Sequence, residues 1–222
     1  MLTNAIEDYI KTIYHLCTNR GKANTNQIAE ALQVTPASVS GMLRKLAHTD
    51  PPLVSYHKHR GVTLTPDGER VALEVIRHHR LLETFLHQIL GYEWHEVHAE
   101  ADRLEHVISE EFEARMAQAL GYPTHDPHGD PIPSPALEMP HRDLFPLGSL
   151  RPSQSGIVAR VNDADPQLLC YLSERGIVPQ AHLTVLAYSP FDRNLSLQIH
   201  GQDQVVVLGP AITAQIFMEI PA

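Results

Sequence analysis

A cluster of prolines in the middle of the chain is the feature that most restricts how it can fold. Eight prolines lie between Pro123 and Pro152. Because proline lacks a backbone N–H and its ring clashes with the preceding helical turn, this stretch cannot continue a helix or form a central strand. We therefore expect a linker over residues 123–152 with separately folded parts on either side, a division that 222 residues allow.

The segment before the prolines begins with the pattern of a winged helix-turn-helix domain. Apolar residues at helical spacing predict three helices, the third begun by Thr35 as a cap and Pro36 at the first helical position. Two alternating stretches then predict a β-hairpin, which would be the wing. The predicted helices span residues 4–19, 25–32 and 36–47, and the predicted strands span residues 53–57 and 62–65.

The rest of the chain predicts a helical domain and a small β-rich domain. Apolar residues recur at helical spacing on both sides of Gly91, and short alternating stretches follow the prolines. The predicted helices span 66–90, 95–120 and 166–175, and the strands span 157–161, 183–188, 195–199 and 204–208. We expect a mainly α protein with small β parts. Its predicted divisions are a DNA-binding domain (1–65), a helical metal-binding and dimerisation domain (66–122), the linker (123–152) and a barrel-like domain (153–222).

Charge is divided unevenly along the chain. The net charge is −9, yet residues 1–65 carry seven Lys and Arg against four Asp and Glu, whereas residues 66–140 carry five against fifteen. This division predicts a nucleic-acid-binding face at the amino-terminal end and a cation-binding region beside it. With only two cysteines, a metal site would need histidines and carboxylates. The sequence lacks a signal peptide pattern and a long apolar run, so we expect a cytoplasmic protein without a membrane partner.

The third predicted helix has a face suited to the major groove of DNA. Its apolar residues can pack on the second helix, which leaves small polar side chains facing outwards. Basic side chains at the end of this helix and at the hairpin tip can contact phosphates or the minor groove. The candidate DNA-binding residues are Thr35, Pro36, Ala37, Ser38, Ser40, Arg44, Lys45, Lys58, His59 and Arg60. The alternative is a small domain of the same kind used for protein contacts.

Histidines and carboxylates at helical spacing predict a metal site. Residues four apart share a helix face, and carboxylates crowded there would repel one another without a cation. Imidazole and carboxylate groups suit a divalent cation, although a solvated polar face is the alternative. The candidate ligands are Asp8, His79, Glu83, His98, Asp102, Glu105 and His106. We expect four other histidines to be surface residues, namely His87, His95, His125 and His128.

Several of these segments resemble the diphtheria toxin repressor family of metal-dependent regulators, over essentially the whole chain. The matching stretches are Glu7-Asp8-Tyr9-Ile10 with Ile13-Tyr14, Ile28-Ala29 with Val39-Ser40, Leu64-Thr65-Pro66-Asp67-Gly68, His79-Arg80-Leu81-Leu82-Glu83, the run from His98 to Val107, and Gly129-Asp130-Pro131-Ile132-Pro133. The resemblance implies a winged helix, a helical dimerisation domain, a proline-rich tether and a carboxy-terminal domain of SH3 type.

The resemblance also divides the candidate ligands between two sites. It places Asp8, Asp102, Glu105 and His106 at a primary, activating site, and His79, Glu83 and His98 at an ancillary site. Iron-responsive members have Met and Cys where this chain has Asp8 and Asp102, and a site without sulfur suits manganese. Members of the family that bind manganese in a close two-metal cluster have Glu at the position of Lys11. Because an ammonium group cannot be a metal ligand, we do not expect a two-metal cluster in this chain. Asp163 and Asp165 are candidates for a further ligand from the SH3-like domain.

Together these patterns predict a metal-dependent transcriptional regulator rather than an enzyme. We expect a homodimer that binds a palindromic operator when Mn²⁺ is bound, and that represses metal-uptake genes. An Fe²⁺-responsive regulator of the same fold and a metal-independent winged-helix regulator are the alternatives. A metallohydrolase is a further alternative, but no nucleophile motif or phosphate-binding loop accompanies the candidate ligands.

Overall fold

A computed structural model describes residues 2–57 and 60–220 of the chain. The helices are α1 (Asn4–Arg20), α2 (Thr25–Ala31), α3 (Pro36–Ala47), α4 (Pro66–Gln88), α5 (Val97–Leu104), α6 (Glu110–Ala119), α7 (Pro166–Ser173) and α8 (Pro210–Thr213). The strands are β1 (Val54–His57), β2 (Gly61–Leu64), β3 (Phe145–Pro146), β4 (Ser155–Val161), β5 (His182–Tyr188), β6 (Leu195–Ile199), β7 (Val205–Leu208) and β8 (Ile216–Glu219). The predicted fold class, mainly helical with small β parts, is confirmed.

The residues form two compact units. The first contains residues up to 79 together with 103–110 and 133–139. The second contains residues 80–102, 111–132 and 140 onwards.

Local sequence signals fix the helix-turn-helix of the first unit. A reciprocal pair of hydrogen bonds between Asn24 and Gln27 caps α2, and the Thr35 hydroxyl accepts a bond of 3.2 Å from the Ser38 backbone N–H at the start of α3. The apolar face of α3 is fully buried, so this helix is held by its core side and leaves the opposite side exposed. The buried residues on α3 are Val39, Leu43 and Leu46.

The predicted hairpin is present as β1 and β2. Val62 and Ala23 exchange two backbone hydrogen bonds of 2.9 and 3.1 Å, which attach the hairpin to the segment just before α2. Gly61 has a φ of +89°, and a Cβ there would lie 2.7 Å from the Ala23 carbonyl oxygen. Glycine is therefore required at this point for both its backbone conformation and its small size. Lys58 and His59, two predicted DNA contacts, lie outside the described residues.

The predicted continuous helix over residues 95–120 is wrong, because α5 ends at Leu104 and α6 begins at Glu110. The Glu105 carbonyl oxygen accepts a hydrogen bond of 3.2 Å from the His78 ring instead of one from a following helical turn. Val107 closes a tighter turn by donating to the Leu104 carbonyl at 3.0 Å. The break leaves the side chains of Glu105 and His106 on irregular backbone.

The second unit contains a six-stranded antiparallel sheet in the order β3-β8-β4-β5-β6-β7. Alternate side chains from its strands, with α7, fill the core of this unit. Sequence patterning did not predict β3 and β8, which have only two and four residues. Both strands are specified by non-local pairing, since β8 lies between β3 and β4. Among the described residues, no helix combines the length and apolar character needed to span a bilayer.

Candidate metal centres and DNA-facing helix

The outer face of α3 presents the predicted DNA-binding side chains to solvent. Those exposed are Thr35, Pro36, Ala37, Ser38, Arg44 and Lys45, while Ser40 is half-exposed. The Arg44 Nε donates to the Ser40 carbonyl at 3.1 Å, which holds this guanidinium along the helix. Arg60, the described residue of the predicted wing tip, is also exposed. The small side chains would allow the helix to approach base edges closely, with basic groups near the phosphates.

Three predicted ligands of the primary site come together in the first unit. Asp8, Glu105 and His106 each offer one ligand atom, and these atoms lie within 4.8 Å of one another; we call this group the first cluster. The His106 Nε2 is 2.9 Å from Asp8 Oδ1 and 3.4 Å from Glu105 Oε1. Asp8 is on α1, whereas Glu105 and His106 lie in the break after α5. The first cluster therefore joins α1, which precedes the helix-turn-helix, to the segment that follows α5.

A carboxylate that the sequence did not single out orients His106. Glu7 Oε2 lies 2.6 Å from Nδ1 of His106, the ring nitrogen opposite the one that faces Asp8. Histidine ligands of metals commonly donate their second ring N–H to a carboxylate, which fixes the ring and increases its basicity. The adjacent acidic pair at positions 7 and 8 was the available sequence signal. Spacing alone could not assign the two carboxylates different roles.

Two neighbours in the first unit, Lys11 and His79, hold the Glu105 carboxylate. Its side chain is only 1% exposed, and its two oxygens lie 3.0 and 2.7 Å from the Lys11 ammonium. Oε2 is also 2.5 Å from His79 Nδ1. Burial raises the pKa of Glu105, but the hydrogen bond from His79 and the Lys11 charge outweigh burial, so the pKa lies below its ordinary value. Glu105 is therefore an ionised buried carboxylate.

A second group of imidazoles and carboxylates lies in the second unit. We call Glu83, His98, His128 and Asp163 the second cluster. The His98 Nδ1 is 3.0 Å from Glu83 Oε1 and 3.3 Å from Asp163 Oδ2. The His128 Nδ1 is 3.7 Å from Glu83 Oε2. Ligand atoms of Glu83, His128 and Asp163 all lie within 4.8 Å of one another.

Electrostatics in the second cluster favour protonated imidazoles beside an ionised Asp163. Burial lowers the pKa of His98, but hydrogen bonds and charge from Asp163 and Glu83 raise it to about 10. The pKa of His128 is likewise depressed by burial but raised to about 9, mainly by Glu83. Burial raises the pKa of Asp163, yet its bond to His98 brings the pKa down to about 2. A cation bound here would replace these protons, since a ligating imidazole must be neutral.

The prediction that His128 is a surface residue is wrong, because its side chain is fully buried. Its Nε2 donates to the Trp94 carbonyl at 2.7 Å. Among the described residues its Nδ1 has no hydrogen-bond partner, although that nitrogen is buried. A neutral His128 in this orientation would direct the Nδ1 lone pair towards the second cluster. No sequence pattern indicates this role, because His128 lies in the proline-rich stretch away from any helical repeat.

The structure places the remaining candidate ligands as follows. Asp102 belongs to the second unit, is exposed, and has Oδ2 3.6 Å from the Nε2 of His98. Asp165 caps α7 by accepting from the Gln167 N–H at 2.9 Å, so its role is accounted for by the helix start. His79 belongs to the first unit, beside Glu105.

Both clusters have the donor chemistry of a divalent cation site. The first offers two carboxylates and one imidazole, and the second offers two of each, all within the described part of the chain. Oxygen and nitrogen donors without thiolate or thioether suit manganese, iron(II) and zinc better than copper(I). The observation that best supports a bound cation is the buried Nδ1 of His128, which has no hydrogen-bond partner among the described residues and lies 3.7 Å from Glu83 Oε2.

Three segments of the chain match described protein families. Residues 1–62 match "Iron dependent repressor, N-terminal DNA binding domain", and residues 65–134 match "Iron dependent repressor, metal binding and dimerisation domain". Residues 145–220 match the FeoA domain. The chain therefore has a DNA-binding domain, a metal-binding and dimerisation domain and a FeoA/SH3-like domain.

Individual relatives include proteins named for iron and for manganese. The iron-dependent repressor IdeR of Mycobacterium leprae is 34% identical over 219 residues, which cover 93% of each chain. The regulator MntR of Lysinibacillus sphaericus is 42% identical over 109 residues, covering 49% of this chain and 76% of MntR. A solved structure described as a manganese-dependent transcriptional repressor in complex with manganese is 41% identical, has a TM-score of 0.88, and covers 96% of this chain and 98% of its own.

Similarity over nearly the whole length, together with three matching domains in the same order, resolves two of the alternatives left by the sequence. A metallohydrolase and a protein-contact module are excluded, because the matched domains are those of repressors that bind DNA and metal. The chain belongs to the diphtheria toxin repressor family, also known as the DtxR/IdeR family, of metal-dependent transcriptional repressors.

Proposed function

We propose that this repressor responds to Mn²⁺ and binds a palindromic operator as a homodimer, repressing genes for metal uptake. The observation that carries the proposal is Asp8 at the first cluster, a hard oxygen ligand opposite Glu105 and His106. Hard oxygen ligands favour manganese over softer metals. The similar solved structure that contains manganese supports the same metal.

The proposed primary site consists of Asp8, Asp102, Glu105 and His106. A bound cation would supply positive charge that neutralises the carboxylates and draws their elements together. Asp8 would position α1, and with it the helix-turn-helix, relative to the segment carrying Glu105 and His106. Glu7 would keep the His106 ring turned towards Asp8. The DNA-binding helices would then be held at the spacing that a palindromic operator requires.

The proposed ancillary site consists of His79, Glu83 and His98, to which the second cluster adds His128 and Asp163. His98 and Asp163 lie 3.3 Å apart, so a ligand from the FeoA/SH3-like segment is supported for Asp163 and not for the helix-capping Asp165. We propose that this site tunes stability and affinity instead of setting the DNA-binding helices. Substituting His98 would then weaken activation less than substituting Glu105.

The proposal is tested with an operator fragment selected from random-sequence DNA in the presence of Mn²⁺. Binding of the full chain to this fragment is titrated anaerobically with Mn²⁺, with Fe²⁺, and in excess chelator. We expect activation by Mn²⁺ at lower free concentration than by Fe²⁺, and weak binding in chelator. Glu105→Gln is the control that should not respond to either metal. Equal operator affinity in chelator and in saturating Mn²⁺ would exclude metal-dependent function.

Iron(II) is the second candidate metal, and similarity to IdeR over 93% of the chain favours it. Asp8→Met introduces the thioether of iron-responsive relatives at the first cluster. We expect this variant to need more Mn²⁺ for half-maximal operator binding while its Fe²⁺ requirement falls or is unchanged. Asp143→Met, which changes an exposed aspartate, is the control. An unaltered ratio of the two requirements in Asp8→Met would remove the basis for assigning manganese.

A further inference from the structure

Lys11 makes contacts that the proposed function does not explain. Its ammonium lies 2.7 and 3.0 Å from the two oxygens of Glu105 and 3.1 Å from His79 Nδ1. The short contact of 2.5 Å between His79 Nδ1 and Glu105 Oε2 assigns the Nδ1 hydrogen to that bond. Lys11 therefore donates to the carboxylate. It is a cation placed directly on a proposed metal ligand.

The position of Lys11 on α1 makes it a neighbour of the proposed ligand Asp8. The two residues are three apart, so they share one face of the helix. The same helix thus presents an anionic ligand and a cation to Glu105. Glu105 Oε1, which lies 3.4 Å from His106 Nε2, is also 3.0 Å from the Lys11 ammonium. Lys11 and any cation held by the first cluster would use the same oxygen.

Burial makes this pairing energetically significant. The Glu105 side chain is 1% exposed, and an ionised carboxylate so deeply buried requires a compensating positive charge. Lys11 supplies that charge, while its own side chain is 15% exposed and so retains access to solvent. The ammonium can leave the carboxylate for water without itself becoming a buried unpaired charge.

We infer that Lys11 is an internal counter-ion of Glu105 that competes with the metal, and so sets the metal concentration at which the repressor becomes active. The inference rests on the proposed function of the first cluster. Without metal, Lys11 neutralises Glu105 and stabilises the fold. When the first cluster holds a cation, the ammonium either leaves the carboxylate or remains as a like charge close to the cation. Both outcomes lower the metal affinity.

The test compares the full chain with Lys11→Met, which keeps the apolar stem and removes the charge. Mn²⁺ binding is followed through loss of the electron paramagnetic resonance signal of the free aqueous ion. The binding step that is absent in Glu105→Gln identifies the first cluster. For that step we expect Lys11→Met to bind Mn²⁺ at least about tenfold more tightly than the unsubstituted chain. The reason is that the substitution removes the Lys11 charge, whose effect at this distance follows from Coulomb's law at an intermediate dielectric constant. Lys22→Met, which removes an exposed lysine, should leave the affinity unchanged.

A second measurement separates competition from a purely structural role. In chelator we expect Lys11→Met to unfold at a lower temperature than the unsubstituted chain, because Glu105 loses its counter-ion. Saturating Mn²⁺ should raise the unfolding temperature more in Lys11→Met than in the unsubstituted chain. A purely structural lysine would lower the temperature equally with and without Mn²⁺. If Lys11→Met does not fold, Lys11→Gln gives the same comparison with a neutral hydrogen-bond donor.

The outcomes distinguish this inference from the proposed function. An unchanged or weaker Glu105-dependent binding step in Lys11→Met overturns the role of Lys11 and leaves the metal site standing. Absence of any Glu105-dependent step in every variant overturns the proposed function and the inference together.

Discussion

Single residues of the second cluster create a proton-dependent contribution to stability. The His98 pKa is raised from 6.5 to about 10, so the stabilisation is complete below pH 6.5 and is lost as the pH rises through about 10. The Asp163 pKa is lowered from 3.8 to about 2, so its stabilisation is present above pH 3.8 and is lost as the pH falls through about 2. The pair therefore stabilises the metal-free protein most between about pH 4 and pH 6.5.

Asp163→Asn tests this pH dependence. In chelator at pH 6 we expect it to lower the free energy of unfolding by about 1 kcal/mol, a value reduced for solvent screening because His98 is 36% exposed. At pH 10 the loss should be smaller, since the pH has then reached the raised pKa of His98, about 10, and about half of the His98 side chains are neutral. Urea denaturation at both pH values provides the measurement. Asp143→Asn breaks a comparable but exposed His–Asp pair and should have no such effect. A loss that is equal at pH 6 and pH 10 would contradict the assigned pairing.

At the residue scale, Asp8, Glu105 and His106 were among the candidate ligands predicted from the sequence, and the family resemblance assigned them to one site. The structure brings ligand atoms of these three residues together, although Glu105 and His106 lie in the break after α5 and not on a helix. His128 and Glu7 were missed for different reasons. His128 reaches the second cluster through a loop whose position depends on non-local contacts, and Glu7 acts on His106 instead of facing the same group of ligand atoms.

At the scale of elements, the helix break after α5 was the main departure from sequence expectation. The repeat of apolar residues continues through residues 95–120, so periodicity alone could not show an interruption. The interruption coincides with a tertiary contact, because the Glu105 carbonyl oxygen accepts its hydrogen bond from the His78 ring. The local elements with strong caps, such as α3, were predicted with the observed bounds. Strands β3 and β8 depend on partners distant in sequence and were not found.

The exposed basic end of α3 yields a prediction on DNA binding. Arg44 is exposed and held along the helix by its bond to the Ser40 carbonyl, so we expect it to contact phosphate. Arg44→Ala should weaken binding to all DNA sequences and reduce the slope of log affinity against log salt by about 1. Fluorescence anisotropy across a salt series would measure the slope. Arg115→Ala removes an exposed arginine from the dimerisation domain and should leave the slope unchanged. A sequence-selective loss in Arg44→Ala would instead indicate base contact.

At the scale of the whole molecule, the proposed function makes metal binding and DNA binding depend on each other through the first cluster. Asp8 belongs to the DNA-binding domain, while Glu105 and His106 belong to the matched metal-binding and dimerisation domain. A cation held by residues of both domains favours some arrangements of the DNA-binding helices over others. The operator favours the same arrangements if the proposed function is right. Any such preference is a coupling free energy, and it must act equally in both directions.

This reciprocity gives a prediction with an internal check. Operator affinity should rise at least about tenfold between chelator and saturating Mn²⁺, and this factor should equal the product, over the metal sites of the dimer, of the factors by which operator raises the Mn²⁺ affinity. Isothermal titration calorimetry, performed in both orders, measures the factors for operator and for metal. Glu105→Gln should abolish both, while His98→Ala should leave most of the coupling, because the second cluster is proposed to tune affinity and not to position α1. Strong metal binding with no change in operator affinity would mean that the cation fails to select among arrangements of the DNA-binding helices. Loss of coupling in His98→Ala equal to that in Glu105→Gln would place the switch in both clusters.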